Sequence, residues 1–376
     1  MLSREFIETV SYPITRLYMA SEDRLLALII KRLKSGTDGF KVTEWDIKKL
    51  SDMGGLTREA VKEIAKTSKQ AKKLLESVLT EVAKKSLSID GVDAEVTTGV
   101  TQTIKALEAQ ASSHLNIVNT TMLAGTQDSF GTIVARLDNE RNIILNDATV
   151  DLVTGQKSFQ AVVSQAIKEL GEAGINAYTD KAGRNWTPEA YVSMDLRTTS
   201  AQTARGVVEA QGRDYGLDVI LVSSHAGARP KCAPYQGRCF SMSGRYGTIT
   251  DAQGRKWDFE PIDNTSRGEP DGLFGINCGH SFRYIEEGAF INREKQTPDD
   301  SRAGEQNKKQ YAQSQEQRSI ERDIRKYERE AELLKEAGLT EFAKIPAGNA
   351  RSARDEYRAF CEETGRTPRW DRTRIY

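Results

Sequence analysis

Three of the four cysteines and two of the three histidines lie in one stretch of the chain, residues 223–284. His225 and Cys232 stand in its first half, and Cys278 and His280 stand in its second half. Thiolates and neutral imidazoles are ligands that zinc prefers, and structural zinc sites are tetrahedral. A loop-rich unit also gains much of its stability from such a cross-link. The sequence therefore offers four candidate ligands for a structural zinc ion.

Other interpretations of these residues stay open at this point. The spacing contains no C-x2-C pair of the kind found in standard zinc fingers. Both histidines can instead be hydrogen-bonded loop residues, with the cysteines acting as small buried hydrophobes. Cys239 belongs to the alternating run CFSMS, and this pattern favours packing over ligation.

An enzymatic interpretation uses the same stretch differently. His225, Asn277 and His280 resemble a histidine-asparagine-histidine nuclease, in which a metal polarises a phosphate and a histidine activates water. That fold requires a helix after the last histidine, whereas FRYI follows His280 and predicts a strand. A cysteine-histidine hydrolase would need an acid to orient the histidine, and none is evident. We therefore assign no catalytic residue and leave enzymatic activity open.

Basic residues form a second candidate site. Residues 228–245 contain no Asp or Glu, and the C-terminal segment GRTPRWDRTRIY sets Trp370 among arginines. Such cations can contact a nucleic-acid backbone or pair with acids of this chain or of a protein partner. The aromatic ring can stack on bases or enter a partner's groove. The predicted contact residues are Arg229, Lys231, Arg238, Arg245, Arg369 and Trp370.

Composition limits what the whole chain can do. The 54 Lys and Arg residues balance the 54 Asp and Glu residues, which argues against a general electrostatic DNA binder but allows local basic patches. No run of 18 apolar residues predicts a membrane span, and the N-terminus lacks the pattern of a signal peptide. Four cysteines do not make a disulfide framework, so we expect synthesis in a reducing cytoplasm.

Long helices are predicted before the Cys/His stretch. Apolar residues at helical spacing, with start and stop signals, indicate six helices, over residues 14–34, 57–85, 97–125, 130–146, 158–170 and 187–212. Their apolar stripes are sparse, and such stripes are commonly buried against another chain. We therefore assign residues 1–150 to a helical partner-binding region.

The hydrophobic period changes after residue 217. Residues 219–223 predict a buried strand that leads directly to His225. A turn sequence at 251–254 separates two short β-prone runs and predicts a hairpin, and residues 281–285 predict a further strand. We assign residues 151–295 to a small α+β domain and residues 296–376 to a charged helical tail. The predicted fold class is α+β.

The Cys/His stretch also resembles a known family. SSHAGARPKCAPYQGRCFSMSG followed by GINCGHSFRYIEEG is similar to the core pattern of the phage minor capsid protein 2 family, and the helical front of the chain resembles that family as well. The layout is similar to head-morphogenesis proteins of the Mu F type. The resemblance covers about residues 10–290 and leaves the charged tail outside. The matching positions are His225, Arg229, Cys232, Gln236, Gly237, Cys278 and His280.

The resemblance implies a virion component of a tailed bacteriophage, made in the host cytoplasm and placed in the capsid interior or at the portal vertex. Such proteins join the portal during procapsid assembly and are packaged in few copies. The implied partners are the portal protein, the major capsid or scaffolding protein, and packaged DNA. Two alternatives remain: a metal-dependent nuclease or transferase delivered with the DNA, and a DNA-organising module. Gly279 stands where the family often has a basic residue, which weakens a nucleic-acid contact there.

Overall fold

The computed structural model of the protein describes residues 2–34, 42–87, 98–146, 152–181, 183–291 and 304–376. The helices in these ranges are α1 (Arg4–Lys34), α2 (Val42–Leu87), α3 (Thr98–Asn146), α4 (Leu152–Ala173), α5 (Pro188–Asp214), α6 (Glu305–Glu336) and α7 (Thr340–Thr364). The strands are β1 (Tyr178–Thr179), β2 (Asn185–Trp186), β3 (Val219–Val222), β4 (Cys239–Ser241), β5 (Gly247–Thr250), β6 (Lys256–Pro261) and β7 (Phe282–Tyr284). Long helices with a small sheet of short strands confirm the α+β class.

The chain forms two compact units. Unit 1 comprises Met1–Ile14, Lys72–His114 and Val192–Gln315. Unit 2 comprises Thr15–Ala71, Leu115–Tyr191 and Glu316–Tyr376. Each unit therefore contains residues from all three predicted regions, namely 1–150, 151–295 and 296–376. Among the described helices, none combines the length and apolarity that a bilayer crossing requires.

Several helices extend beyond their predicted bounds, since α1, α2 and α4 begin at Arg4, Val42 and Leu152 instead of residues 14, 57 and 158. Helix α3 continues through Gly125, where the sequence predicted one helix to end before another began. A Cβ at Gly125 would lie 2.6 Å from the carbonyl oxygen of Asn176, so this glycine provides close approach rather than a break. In the predicted charged tail, helix α7 begins at Thr340 and contains the buried Pro346.

The five-stranded sheet of unit 1 has the order β5-β6-β4-β3-β7. Neighbouring strands are antiparallel except for β4 and β6, which are parallel. Strand β3 is buried along its whole length, and its alternate residues enter different apolar clusters. Ile220 and Val222 pack with Cys232 and Cys278, whereas Leu221 packs with Cys239. The predicted strands and hairpin are confirmed, and the buried β3 explains the continuous apolar run.

Unit 2 contains a buried group of charged residues. Glu22 is 1% exposed, accepts a hydrogen bond from the Ile175 N–H at 3.0 Å, and pairs with Arg329 at 3.2 Å. Asp23 accepts from the Nε of Arg329 at 2.9 Å and from the backbone N–H of Tyr376 at 2.8 Å. Burial raises the pKa of Glu22, although Arg329 opposes the shift. Arg329 thus partly offsets both acids from within the same chain.

Candidate metal centre

Strand pairing explains why the two halves of the Cys/His stretch meet. Strand β3 runs antiparallel to β7 with Val222 opposite Phe282, so the end of β3 and the start of β7 share one end of the sheet. His225 follows β3 closely, and His280 precedes β7 closely. The Gly237 N–H donates to the Val222 carbonyl at 3.1 Å, which brings the loop before β4 to the same end.

Three side chains converge there. The Sγ atoms of Cys232 and Cys278 are 3.9 Å apart, and Cys278 Sγ is 3.4 Å from His280 Nδ1. These potential ligand atoms all lie within 4.8 Å of one another, and all three residues are buried. Two sulfurs on a tetrahedral zinc would be about 3.8 Å apart, and a sulfur and a nitrogen about 3.5 Å apart, given the usual bond lengths. The Cys232–Cys278 and Cys278–His280 distances therefore fit a tetrahedral metal ion.

Gln236 sets the orientation of His280. The Gln236 side chain is 2% exposed, and its Oε1 accepts a hydrogen bond from the His225 N–H at 2.7 Å. The same oxygen lies 3.2 Å from His280 Nε2. Because an amide oxygen only accepts, it favours the tautomer with the proton on Nε2 and a lone pair on Nδ1. Metal-bound histidines commonly have such a carbonyl partner behind the ring.

His225 lies beside the three converging side chains. Its ring packs against that of His280, with centroids 4.3 Å apart and planes 31° from parallel. Its Nδ1 is 3.1 Å from the carbonyl oxygen of Ala226. The structure thus brings His225 into contact with His280 but leaves it outside the group of three close ligand atoms.

The two thiols of the cluster differ in acidity. A hydrogen bond from the Cys232 thiol lowers the pKa of Cys278, against the opposing effect of burial, and His280 lowers it further. The Phe274 N–H also donates to Cys278 Sγ at 3.2 Å. The same thiol pairing, with burial, raises the pKa of Cys232. In contrast, Cys239 lies in the other apolar cluster, where burial raises its pKa to about 12. Cys278 is therefore the thiol best prepared to ligate.

Arg205 of α5 supports the cluster and was not among the site residues predicted from the sequence. This residue is 6% exposed, and its guanidinium donates to the carbonyl oxygens of His280 and Phe274, each at 3.1 Å. It also lies 5.2 Å from the Phe274 ring centroid. The backbone of Phe274 and Asn277 has positive φ, at 63° and 56°. Arg205 thus ties down a loop that carries backbone strain. The sequence did contain one sign of a buried arginine, because Arg205 stands among alanines and valines in a predicted helix.

The secondary structure after His280 differs from that of the nuclease pattern. The Asn277 backbone N–H donates to Thr198 Oγ1 at 3.0 Å. Strand β7 follows His280, as the sequence predicted, so the helix that the nuclease fold requires does not stand at this position.

The four cations of the basic loop each contact their own unit. Lys231 pairs with Glu269 at 2.6 Å and with Asp271 at 2.8 Å. The other three contacts join Arg229 to the Ile276 carbonyl, Arg238 to Glu260 and Arg245 to Asp218. The pairs are largely exposed, so they do not prevent contact with a partner.

Arg369 and Trp370, the predicted contact residues of the C-terminal segment, lie in unit 2. The Trp370 ring packs edge-on against Tyr357, with centroids 5.0 Å apart. Arg369 donates its backbone N–H to the Tyr357 hydroxyl at 2.8 Å, and its Nε is 3.4 Å from Asp371. Trp370 therefore packs within its own unit, beside the buried residues of α6 and α7.

Comparison with known proteins agrees with a structural role in a bacteriophage particle. The chain is 26% identical over 348 residues to a protein named "Structural protein" from Lactococcus phage LL-H, which covers 87% of this chain and 89% of the relative. No solved structure matches the chain. The family model described as phage minor capsid protein 2 matches residues 3–362, and the chain belongs to this family. The match extends through most of the charged tail, so the limit predicted near residue 290 was too short.

Proposed function

We propose that this protein is a minor capsid protein that joins the portal vertex during procapsid assembly and is packaged in few copies. The match of the family model to residues 3–362 is the observation that carries the proposal. Head-morphogenesis proteins with a similar layout associate with the portal. Residues 1–150 serve as the partner-binding region in this proposal.

We further propose that the Cys/His cluster holds a structural zinc ion. Cys232, Cys278 and His280 supply three ligands, and His225 supplies the fourth. The spacing of the first three supports this assignment. Their exposure of 1%, 5% and 2% favours a structural site, because a catalytic zinc keeps a position open to water or substrate. The ion would join the ends of β3, β4 and β7.

Co-purification tests the portal assignment. The full chain, co-expressed with the portal protein of the same phage, should be recovered with it, and mass spectrometry of purified virions should find it in few copies. Ile117 is 44% exposed in the predicted binding region. Ile117→Asp should weaken recovery, whereas Ile345→Asp, at a residue 65% exposed in α7, should not. Recovery with the major capsid protein but not with the portal would contradict the portal assignment and leave a capsid role.

Elemental analysis tests the zinc site independently. The purified full chain should contain one zinc per molecule, and Cys232→Ser, Cys278→Ser or His280→Asn should remove it. Cys239→Ser and Cys361→Ser are matched controls, since both thiols are buried outside the cluster. His225→Asn should weaken retention during dialysis against a chelator. A metal-free protein with freely reactive Cys232 and Cys278 would disprove the site without affecting the portal test.

A further inference from the structure

Helix α2 carries a row of cations that the proposed function does not use. Arg58, Lys62, Lys66 and Lys69 are all exposed. Their spacing of four, four and three residues puts them on one side of the helix, about 6 Å apart from turn to turn. We call these four residues the α2 basic face.

The acids near this face are held by another helix. Glu59 pairs with Arg32 of α1 at 2.8 Å, and Glu63 pairs with Arg24 of α1 at 2.7 Å. A Cβ at Gly55 would come within 2.8 Å of the Arg32 guanidinium, so this glycine leaves space for Arg32. The arginines of α1 thus pair with Glu59 and Glu63, and these two acids form their ion pairs away from the outward cations.

The charged helices α6 and α7 show a different arrangement. Three of their exposed lysines each pair with a glutamate three residues earlier, as Lys308 with Glu305, Lys335 with Glu332 and Lys344 with Glu341. Across the ranges that the structure describes, Lys62, Lys66 and Lys69 make no comparable ion pair. An ordinary solvated helix alternates its charges, and the α2 basic face does not.

The face also lacks the apolar anchors of a protein interface. Between Arg58 and Lys69, Val61 is the one large hydrophobic residue exposed in the described structure, at 46%. Protein interfaces depend on buried aromatic or aliphatic anchors, whereas phosphate contacts need only well-placed cations. The groove beside Lys62 and Lys66 is also lined by Arg24 and Lys31 of α1 and by three acids, so its cations outnumber its acids by four to three. The acids are Glu59, Glu63 and Glu336.

We propose that the α2 basic face binds the phosphate backbone of duplex DNA without sequence preference. In a virion protein of zero net charge, a local row of cations confines this attraction to one surface. The proposal goes beyond the portal and zinc assignments and depends on neither.

The test compares two triple variants of the full chain. Lys62→Gln/Lys66→Gln/Lys69→Gln removes three charges from the α2 basic face. Lys308→Gln/Lys335→Gln/Lys344→Gln removes the same number from the paired lysines of α6 and α7. Binding to a short fluorescein-labelled duplex is measured by anisotropy between about 50 and 200 mM salt, the range in which phosphate contacts change affinity strongly.

We expect the unmodified protein to bind more weakly as salt rises, with a slope that the first variant reduces by about three. At about 50 mM salt the first variant should bind at least roughly tenfold more weakly, while the control variant should retain its affinity. Unchanged thermal melting of both variants shows that the fold is intact. Absence of duplex binding by the unmodified protein, or equal losses in both variants, would overturn the proposal. Tighter binding to poly-glutamate than to the duplex would also overturn it, in favour of an acidic protein partner.

Discussion

The two units bury polar side chains in different ways. In unit 2, Glu22 and Asp23 meet Arg329, so anionic and cationic groups of the same chain neutralise each other. In unit 1, Cys232, Cys278 and His280 bring potential metal ligands together, while nearby Arg205 donates hydrogen bonds to two carbonyl oxygens. A buried acid that already has a cation of its own chain as a partner does not depend on a bound ion. A buried set of soft ligands at tetrahedral spacing gains stability from one.

The largest expected effect comes from removing Arg329, the cation that pairs with Glu22 and Asp23 in unit 2. Arg329→Met leaves the fully buried Glu22 without its cation, and we expect the free energy of unfolding to fall by about 4 kcal/mol at neutral pH. Denaturant unfolding with a fluorescence readout measures this change. Lys326→Met is the control in the same helix, because its pair with Glu172 is exposed and contributes less than about 1 kcal/mol.

The same variant should also change the pH dependence of stability. Burial raises the pKa of Glu22 and Arg329 lowers it, so removing Arg329 should raise it further. A raised folded-state pKa gives stability that is present at low pH and is lost as pH rises through that value. The deficit of Arg329→Met should therefore grow between about pH 4 and pH 7. An equal deficit across this range would show that Glu22 does not carry the effect.

An intermediate effect is expected from Arg205 in unit 1. Arg205→Ala leaves the carbonyl oxygens of His280 and Phe274 without their buried donor, which should cost about 3 kcal/mol. Because the loop would no longer be held, the proposed zinc ion should also exchange faster with a chelator. Arg205→Lys retains one donor, so its free energy of unfolding should lie between those of the unmodified protein and Arg205→Ala. A variant that is less stable but retains zinc as well as the unmodified protein would separate loop anchoring from metal binding.

The smallest expected effect concerns Asp251 in unit 1, a carboxylate whose hydrogen-bond donors come from its own chain. Burial opposes the charged form of Asp251, but donors from Trp257, Arg255 and Gln253 hold its pKa at about 2. Such a depressed pKa gives stability that is present above the unfolded value of about 3.9 and is lost as pH falls through about 2.

The indole N–H of Trp257 donates to Asp251 at 2.9 Å, so its NMR signal reports on this contact. The signal should shift as pH falls from about 4 to 2 in the unmodified protein and should not titrate in Asp251→Asn. A shift that persists in the variant would assign the titration to another group.

Much of this arrangement was predictable from local sequence. The apolar run at 219–222 and the turn after Asp251 each depend on neighbouring residues. The convergence of Cys232, Cys278 and His280 depends on the pairing of β3 with β7, and the concentration of cysteine and histidine in one stretch of the sequence was its signal. Local pattern does not reveal which helix faces pack together, so Arg205 and the pairing of α1 arginines with α2 acids were missed. Gly125 shows the same limit, because a glycine that allows close approach and a glycine that ends a helix look alike in sequence.

The distance along the chain between β3 and β7 has a consequence for biosynthesis. Ser223 and Ser281, which extend the pairing of these strands, are 58 residues apart. At about 5–20 residues per second, a ribosome needs roughly 3–12 s to add the residues between them. For 46 of these residues, Cys232 is already part of the nascent chain while Cys278 has not yet been added. Its protection from oxidation must then come from the reductants of the infected cell.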